Sequence, residues 1–262
     1  MSAPPKKGTL KRIATCTAPL PSNLWRDIGK WGGVQDVVNI YGMTECGWMT
    51  WCTSATAAPD DGLVGQPFGC VVKVLPFGTT DRDVLFAESC AVGESGYVWV
   101  QTPALMKGYL NRDDLTRQSI SRGCFVTGDI GSIDERGYLY LRGRDKEMIN
   151  AGGVKIYPAD IDAAIERSQL VADVCTFAVP DAAQDELVAV AVVLRDDASA
   201  DLGVVYRWAR ANLSAYQVPR NWYQVAEIPR TPRGKVNRTH VAQLCASLRP
   251  AETRLLERAV SP

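Results

Sequence analysis

The sequence predicts an α/β (α+β) fold in two parts: a β-rich part with a small distorted β-barrel, then a small α/β domain. Three observations carry this. Short β-branched and aromatic runs crowd residues 63–143, each bounded by turn-forming residues. After Gly143 the pattern changes to strands alternating with amphipathic helical segments. The 262 residues are 46% hydrophobic and 22% charged, enough to build one large core or two modest ones. The boundary falls near the Gly-Arg-Asp-Lys stretch, giving parts 1–143 and 144–262.

Taken in order, residues 1–8 read as a loose tail. "DVVNIY" (36–41) is an apolar strand running into "GMTE", where Gly42 permits a sharp turn. Residues 55–67 are a turn-rich loop. "CVVKVL" (70–75), "GYVWVQ" (96–101) and "CFVTGDIGSI" (124–133) are strands, and "NRDDLTRQSI" has a helix start and helical spacing. "DERG" (134–137) is a hairpin turn into "YLYLRG". In the second part, "YPADIDAAIERS" places Pro in the first helical turn and Ile161, Ala164 and Ile165 on one face. "DVCTFAVP" and "ELVAVAVVL" are buried strands, "LGVVYRWARANL" is a second helix, "NWYQVAEIP" a third strand and "RTHVAQLCASL" a closing helix. Neither internal repeats nor low-complexity segments are evident.

Charge and composition narrow the function classes. Lys plus Arg equals Asp plus Glu at 29 each, which argues against a nucleic-acid footprint or a polybasic membrane patch. No apolar run approaches the ~18–20 residues of a membrane span. The start, "MSAPPKKGTLKR", lacks the apolar stretch of a secretory signal, so a cytoplasmic location is expected. Eight cysteines contain no C-x-x-C pair and His240 is the single histidine, so zinc-ligand spacing is absent. The cysteines read as reduced small hydrophobes. One histidine also weakens any Ser-His-Asp or Cys-His arrangement. Catalysis, where present, must rest on carboxylates, lysines or backbone.

Four stretches have residue types suited to chemistry. In "NIYGMTE", Tyr41 can stack on a flat base, Thr44 can donate to a phosphate oxygen and Glu45 can hold Mg²⁺. In "FVTGD", Asp129 stands at a strand end, where a carboxylate can accept from vicinal ribose hydroxyls. In "RGRDKEMINAGG", Arg144 offers a planar fork for phosphate or ribose oxygens, Lys146 sits at the junction, and Gly152 and Gly153 allow close backbone approach to a ligand. In "PRTPRGKVNR", two prolines and a glycine form an extended loop that delivers Lys235, whose ammonium can neutralise charge on a transferring phosphate. Each stretch alone has an ordinary reading: a capping Thr with a solvated Glu, a turn Asp, a simple hairpin, a surface Lys.

Together and in this order, with "GYVWVQTPALMKGYLN" between the first two, the stretches resemble the adenylate-forming superfamily of acyl-CoA synthetases, luciferases and peptide-synthetase adenylation domains. The resemblance runs over roughly residues 9–245. It implies that "TCTAPL" lies beside the adenine, with Ala18 and Pro19 matching and Cys16 and Thr17 departing from the usual Gly or Ala. It implies an adenine-stacking Tyr41, a Gly42 turn, Thr44 at the α-phosphate and Glu45 at Mg²⁺. Asp129 and Arg144 would hold the ribose, Lys146 would be the hinge, and Gly152 and Gly153 would line the coenzyme A path. Lys235 would bridge the substrate carboxylate and the α-phosphate. The implied chemistry has two steps. A carboxylic acid and ATP form acyl-AMP; after rotation about Lys146, coenzyme A takes the acyl group and releases AMP. "YGMTE", "MKGYLN" and "GGVKIYPADID" resemble acyl-CoA ligases more than amino-acid adenylation domains. Asn150 stands where some ligases have a Lys, so that role is not carried over.

One departure is large. Members of that superfamily are about twice this long, and their Ser/Thr/Gly-rich loop with a Lys, which wraps the β- and γ-phosphates, is not found here. The resemblance therefore implies the C-terminal portion of the large domain followed by the whole small domain. Three readings stay open: a part of a ligase (or, as the alternative, of an amino-acid adenylation domain) whose other half is supplied separately or was cut off, a non-catalytic remnant binding nucleotide, coenzyme A or a partner, or an unrelated α/β module. Exposed apolar faces would then favour self-association. Trp48 and Trp51 follow the Thr-Glu pair; as acyl-pocket residues they would favour small or aromatic acids, and as core aromatics they would have no such role.

Overall fold

A computed structural model describes residues 5, 8–79, 87–195, 201–232 and 234–251. Most of the tail expected over 1–8 lies outside the described residues. The chain divides into two compact units, Met1–Asp145 and Lys146–Pro262.

The first unit is built on one nine-stranded sheet. β1 (Arg12–Thr15) leads into helix α1 (Ser22–Gly32), then β2 (Asp36–Met43), β3 (Gly47–Thr53), β4 (Leu63–Pro67), β5 (Val71–Leu75) and β6 (Gly96–Gln101). Helix α2 (Asp113–Ser119) precedes the short β7 (Ile120–Ser121), β8 (Cys124–Ile133) and β9 (Leu139–Arg144). The strand order is β1-β2-β3-β4-β9-β8-β6-β5, with β7 beside β8, an open path among the described residues. β1 and β2 are parallel, and the remaining pairs are antiparallel. One core gathers Met49, Val74, Val98, Val100, Phe125 and Leu139. A second gathers Trp25, Val37, Leu63 and Tyr138 under α1.

Two local expectations change. Residues 63–67, expected in a loop, form β4, which links the β2–β3 hairpin to β9. Gly42 does not make the turn: it lies inside β2, beside a bulge, and the turn comes at residues 44–46, where the Cys46 N–H donates to the Met43 carbonyl. Glycine is needed at 42 for space, because a Cβ there would sit 2.5 Å from the Gly47 carbonyl oxygen.

The second unit begins at Lys146, inside a single 3₁₀ turn at Asp145–Glu147. It contains β10 (Ile149–Ala151), β11 (Val154–Ile156), α3 (Pro158–Glu166), β12 (Val171–Asp181), β13 (Asp185–Leu194), α4 (Leu202–Asn212), β14 (Asn221–Gln224) and α5 (Arg238–Ala246). The sheet order is β11-β10-β13-β12, with β14 parallel to β13. β13 is apolar on both faces, as a covered central strand must be. Val188, Val190 and Val192 pack with α3, α4 and Trp222, while Ala189 and Ala191 pack with Tyr223 and α5. α4 starts where the Asp201 side chain accepts from the Val204 N–H at 2.8 Å, an N-cap.

Candidate functional site

Three predicted residues of the first unit meet. Asp129 and Arg144 face each other in register across β8 and β9, and Arg144 Nε lies 3.0 Å from Asp129 Oδ1. The Tyr41 hydroxyl, brought by β2, donates to Asp129 Oδ2. Behind the carboxylate, the Asp129 N–H donates to Thr127 Oγ1 at 3.0 Å, and that hydroxyl donates to the Val98 carbonyl at 2.8 Å. Asp129 is only 4% exposed, whereas Arg144 is open to solvent. Burial, then the Asp129 charge, holds the Tyr41 hydroxyl well above the usual tyrosine range, so it stays a neutral donor. An ionised carboxylate has about four lone-pair sites, and here they face a tyrosine hydroxyl and a guanidinium that fix its plane.

The turn after β2 carries the next pair. Glu45 Oε1 accepts from the Tyr109 hydroxyl at 2.8 Å, and the Glu45 carbonyl accepts from the Met106 N–H at 2.8 Å. Tyr109 is itself held by its N–H to Thr116 Oγ1 at 2.9 Å. Burial, then Glu45, raises the Tyr109 hydroxyl above its usual range. Thr44 is exposed. Ala18 and Pro19 are exposed in the segment after β1. Thr15 pairs with Asn39, so that segment leaves the sheet two residues below the level of Tyr41. Trp48 and Trp51 are 69% and 41% exposed, so neither is a core aromatic in the described structure. Trp51 meets Phe68 edge-on with ring centroids 6.3 Å apart.

The second unit holds the rest. Gly152 and Gly153 form the two-residue turn between β10 and β11, with φ of 59° and 86°. Consecutive positive φ values are the pattern of a tight hairpin turn, which favours glycine. A Cβ at either position would meet no atom within 4 Å, so the backbone conformation rather than crowding explains both. The Gly152 N–H donates to the Gln184 carbonyl and the Gly153 N–H to Asn150 Oδ1. Lys146 is exposed within the 3₁₀ turn.

Lys235 departs from the extended loop expected for it. Thr231 and Lys235 close a tight turn, the Thr231 N–H donating to the Lys235 carbonyl at 2.7 Å, next to an antiparallel bridge between Arg230 and Val236. Asn237 then caps α5 by accepting from the His240 N–H. The Lys235 side chain is exposed and has no ion pair among the described residues.

Thr127, Tyr109 and Arg238 were missed in the sequence reading. All three lie inside or beside the quoted stretches, so the signal was proximity to a motif; their partners lie 2 to 91 residues away along the chain. Arg238 donates from Nε to Glu147 at 2.9 Å and from Nη1 to Asp162 at 2.8 Å and to the Thr176 carbonyl at 2.7 Å. Burial works against its charge, but Asp162, Cys175 and Glu147 more than offset this and hold the guanidinium above its usual range. Burial pushes the Asp162 carboxyl up, while Arg238 and the Thr176 N–H favour the ionised form. With two charge-assisted bonds in place, the ionised pair is the state the geometry supports.

An α/β chain with a tyrosine–aspartate–arginine cluster and a Thr-Glu turn on one sheet, followed by a small α/β unit with an exposed loop lysine, is the arrangement expected of an adenylate-forming type of protein. The AMP-binding enzyme model matches residues 2–110, and the AMP-binding enzyme C-terminal domain model matches residues 160–235. The chain belongs to the adenylate-forming, AMP-binding enzyme family. It is 32% identical to a probable CoA ligase, CCL9, of Humulus lupulus over 89% of this chain and 43% of that protein. It superposes on ATP-bound MatB from Rhodopseudomonas palustris with a TM-score of 0.79 at 27% identity, covering 90% of this chain and 45% of that one. Against MenE from Bacillus subtilis in complex with the acyl-adenylate OSB-AMP, the TM-score is 0.78 at 25% identity, covering 94% of this chain and 48% of that one. The chain thus spans less than half the length of these relatives. Among the described residues, no helix is long and apolar enough to cross a membrane.

Proposed function

We propose that this chain forms part of an AMP-forming acyl-CoA ligase. It joins a small-molecule carboxylic acid to coenzyme A through acyl-AMP. The Tyr41–Asp129–Arg144 cluster carries this reading: it is a buried, oriented carboxylate at a strand end, the type of group that accepts from a ribose diol. In the adenylation state, Asp129 and Arg144 hold the ribose, Tyr41 flanks the base beside Ala18 and Pro19, and Gly42 lets β3 pack close behind the turn that presents Thr44 to the α-phosphate.

Glu45 suits Mg²⁺. Mg²⁺ keeps several waters and takes one or two carboxylates plus phosphate oxygens. One Glu45 oxygen is anchored by Tyr109, and no cluster of three or more candidate metal ligands exists among the described residues. The metal would offset phosphate charge. Lys235 supplies the mobile cation that bridges the acid and the α-phosphate. For the second step, the small domain turns about Lys146 and presents the Gly152–Gly153 hairpin to the pantetheine path. Trp48 and Trp51 bias the acid toward small or aromatic types.

The Gly-rich phosphate loop is supplied outside these residues, by an N-terminal half. Exposed Trp48, Trp51, Phe68 and Val71 support the need for further covering surface. The chain's share of its relatives, below half, also favours a second reading: a non-catalytic remnant that keeps nucleotide or coenzyme A binding. Acid-dependent ATP–pyrophosphate exchange, measured with and without a complementing N-terminal half, separates the two. Exchange on complementation, abolished by Lys235→Ala, is the expected result. Its absence in both conditions defeats the ligase reading, and AMP binding alone would leave the remnant.

A further inference from the structure

The connection between the two units is clamped on both sides of one residue. On the near side, the Tyr97 hydroxyl on β6 donates to Asp145 Oδ1 at 3.1 Å, just after Arg144 ends β9. The Tyr97 ring is braced edge-on by Phe77, with centroids 5.1 Å apart. On the far side, Arg238 Nε donates to Glu147 Oε2 at 2.9 Å, and Ile149 two residues later is fully buried in β10. Between them stands Lys146, exposed and with no side-chain hydrogen bond or ion pair among the described residues.

We infer that Tyr97 and Arg238 are positioning residues that confine the swing to the backbone torsions of Lys146. Tyr97 makes Asp145 part of the first unit, and Arg238 makes Glu147 part of the second. The inference rests on the hinge reading of Lys146 given above and adds the devices that make it a single-residue joint. A hinge needs only a few residues that absorb the change in φ and ψ. With neighbours fixed within their own units, torsion cannot spread along the connection, so a given rotation at Lys146 has a reproducible end point.

Arg238 has a second consequence. Its guanidinium spans Glu147, Asp162 on α3 and the Thr176 carbonyl on β12. It also opens α5, three residues after Lys235. One side chain therefore ties the far side of the joint to the base of the turn that carries Lys235. Any rotation transmitted at Lys146 moves that turn as a rigid piece rather than through a slack loop.

The test is residue-by-residue backbone amide relaxation, with order parameters and relaxation dispersion, on the 262-residue chain and on Tyr97→Phe and Glu147→Ala. Tyr97→Phe keeps the ring and loses only the hydroxyl; Glu147 is partly exposed, so Glu147→Ala removes the acceptor for Arg238 without opening a core cavity. In the native chain, mobility is expected at Lys146 alone. In Tyr97→Phe it should extend to Asp145 and leave Glu147 ordered. In Glu147→Ala it should extend to positions 147 and 148 and leave Asp145 ordered. This one-sidedness is the decisive readout, because general loosening would spread both ways. Native mobility already spanning residues 144–148, or variants that loosen both sides alike or neither, overturns the clamps. A Lys146 as rigid as the sheets, with both units tumbling as one body, overturns the hinge reading itself and the clamps with it.

Discussion

Asp129 is gripped from two strands at once: Arg144 Nε sits 3.0 Å from Oδ1, and the Tyr41 hydroxyl donates to Oδ2. The grip fixes the carboxylate plane. Asp129→Asn keeps the shape but loses the charge that makes bonds to ribose hydroxyls strong. Hydrogen bonds to a charged group contribute about 1.5–3 kcal/mol, so AMP affinity should fall roughly ten- to hundredfold. Tyr41→Phe removes only an orienting donor and should cost about 1 kcal/mol, near fivefold. Calorimetric titration with AMP checks both. Equal affinity in all three proteins would remove this cluster from the nucleotide site.

Arg238 is a structural clamp in its own right. Arg238→Met leaves the buried Asp162 without its cation, and breaking a buried pair from one side costs about 3–5 kcal/mol. Adding Asp162→Asn removes the stranded charge and should restore much of that loss. Urea unfolding of the wild type, the single variant and the double variant measures this. A double variant less stable than Arg238→Met would show that the cost lies in packing of the arginine stem instead.

Much of the fold was legible because its strands and helices have one-sided or fully apolar patterns. β13 is continuously apolar from Leu187 to Leu194 because both faces are covered there, and α3 shows Ile161, Ala164 and Ile165 on one side because only that side packs. α1, β1 and β3 were not anticipated. β3 reads "GWMTWCT" with Trp48 and Trp51 exposed and Met49 and Thr50 buried, which breaks period-two alternation. The site residues stood out as motif pieces, but their couplings did not. Tyr41 and Asp129 lie 88 positions apart, and only strand order joins them. The reason for Gly42 was also hidden, since a glycine that permits a turn and one that admits a neighbouring carbonyl look identical in sequence.

Gly42→Ala separates those two roles. The added methyl would fall 2.5 Å from the Gly47 carbonyl oxygen and 3.1 Å from the Trp48 Cα, both backbone atoms that cannot swing aside. Overpacking of this kind costs typically 1–3 kcal/mol. Because the strain lies in the hairpin that presents Thr44 and Glu45, AMP affinity in the presence of Mg²⁺ should fall along with the melting temperature. Gly153→Ala is the contrast: its φ of 86° strains an L-residue, but the Cβ meets nothing, so stability should drop by about 1–2 kcal/mol with AMP affinity intact. A Gly42→Ala protein with native stability would mean that the β2–β3 pair is wider than described.

The buried thiols set a limit on the alkaline side. Burial pushes Cys46, Cys52 and Cys175 up to about 12 each, with nearby carboxylates adding to Cys46 and Cys175. In the unfolded chain a cysteine titrates near its ordinary value of about 8.5. Between these values the native state keeps protons that the unfolded state has released. Stability therefore rises with falling pH across this window, is fully present below about 8.5, and is lost as pH climbs toward 12. Urea midpoints measured under reducing conditions from pH 7 to pH 10.5 should hold steady at first and then decline. Cys52→Ala should make the decline shallower, because it removes one of the groups that discriminates between the two states. A midpoint that stays flat across the alkaline range would show that these thiols remain accessible to water, against their burial in both the β2–β3 region and the β12 core.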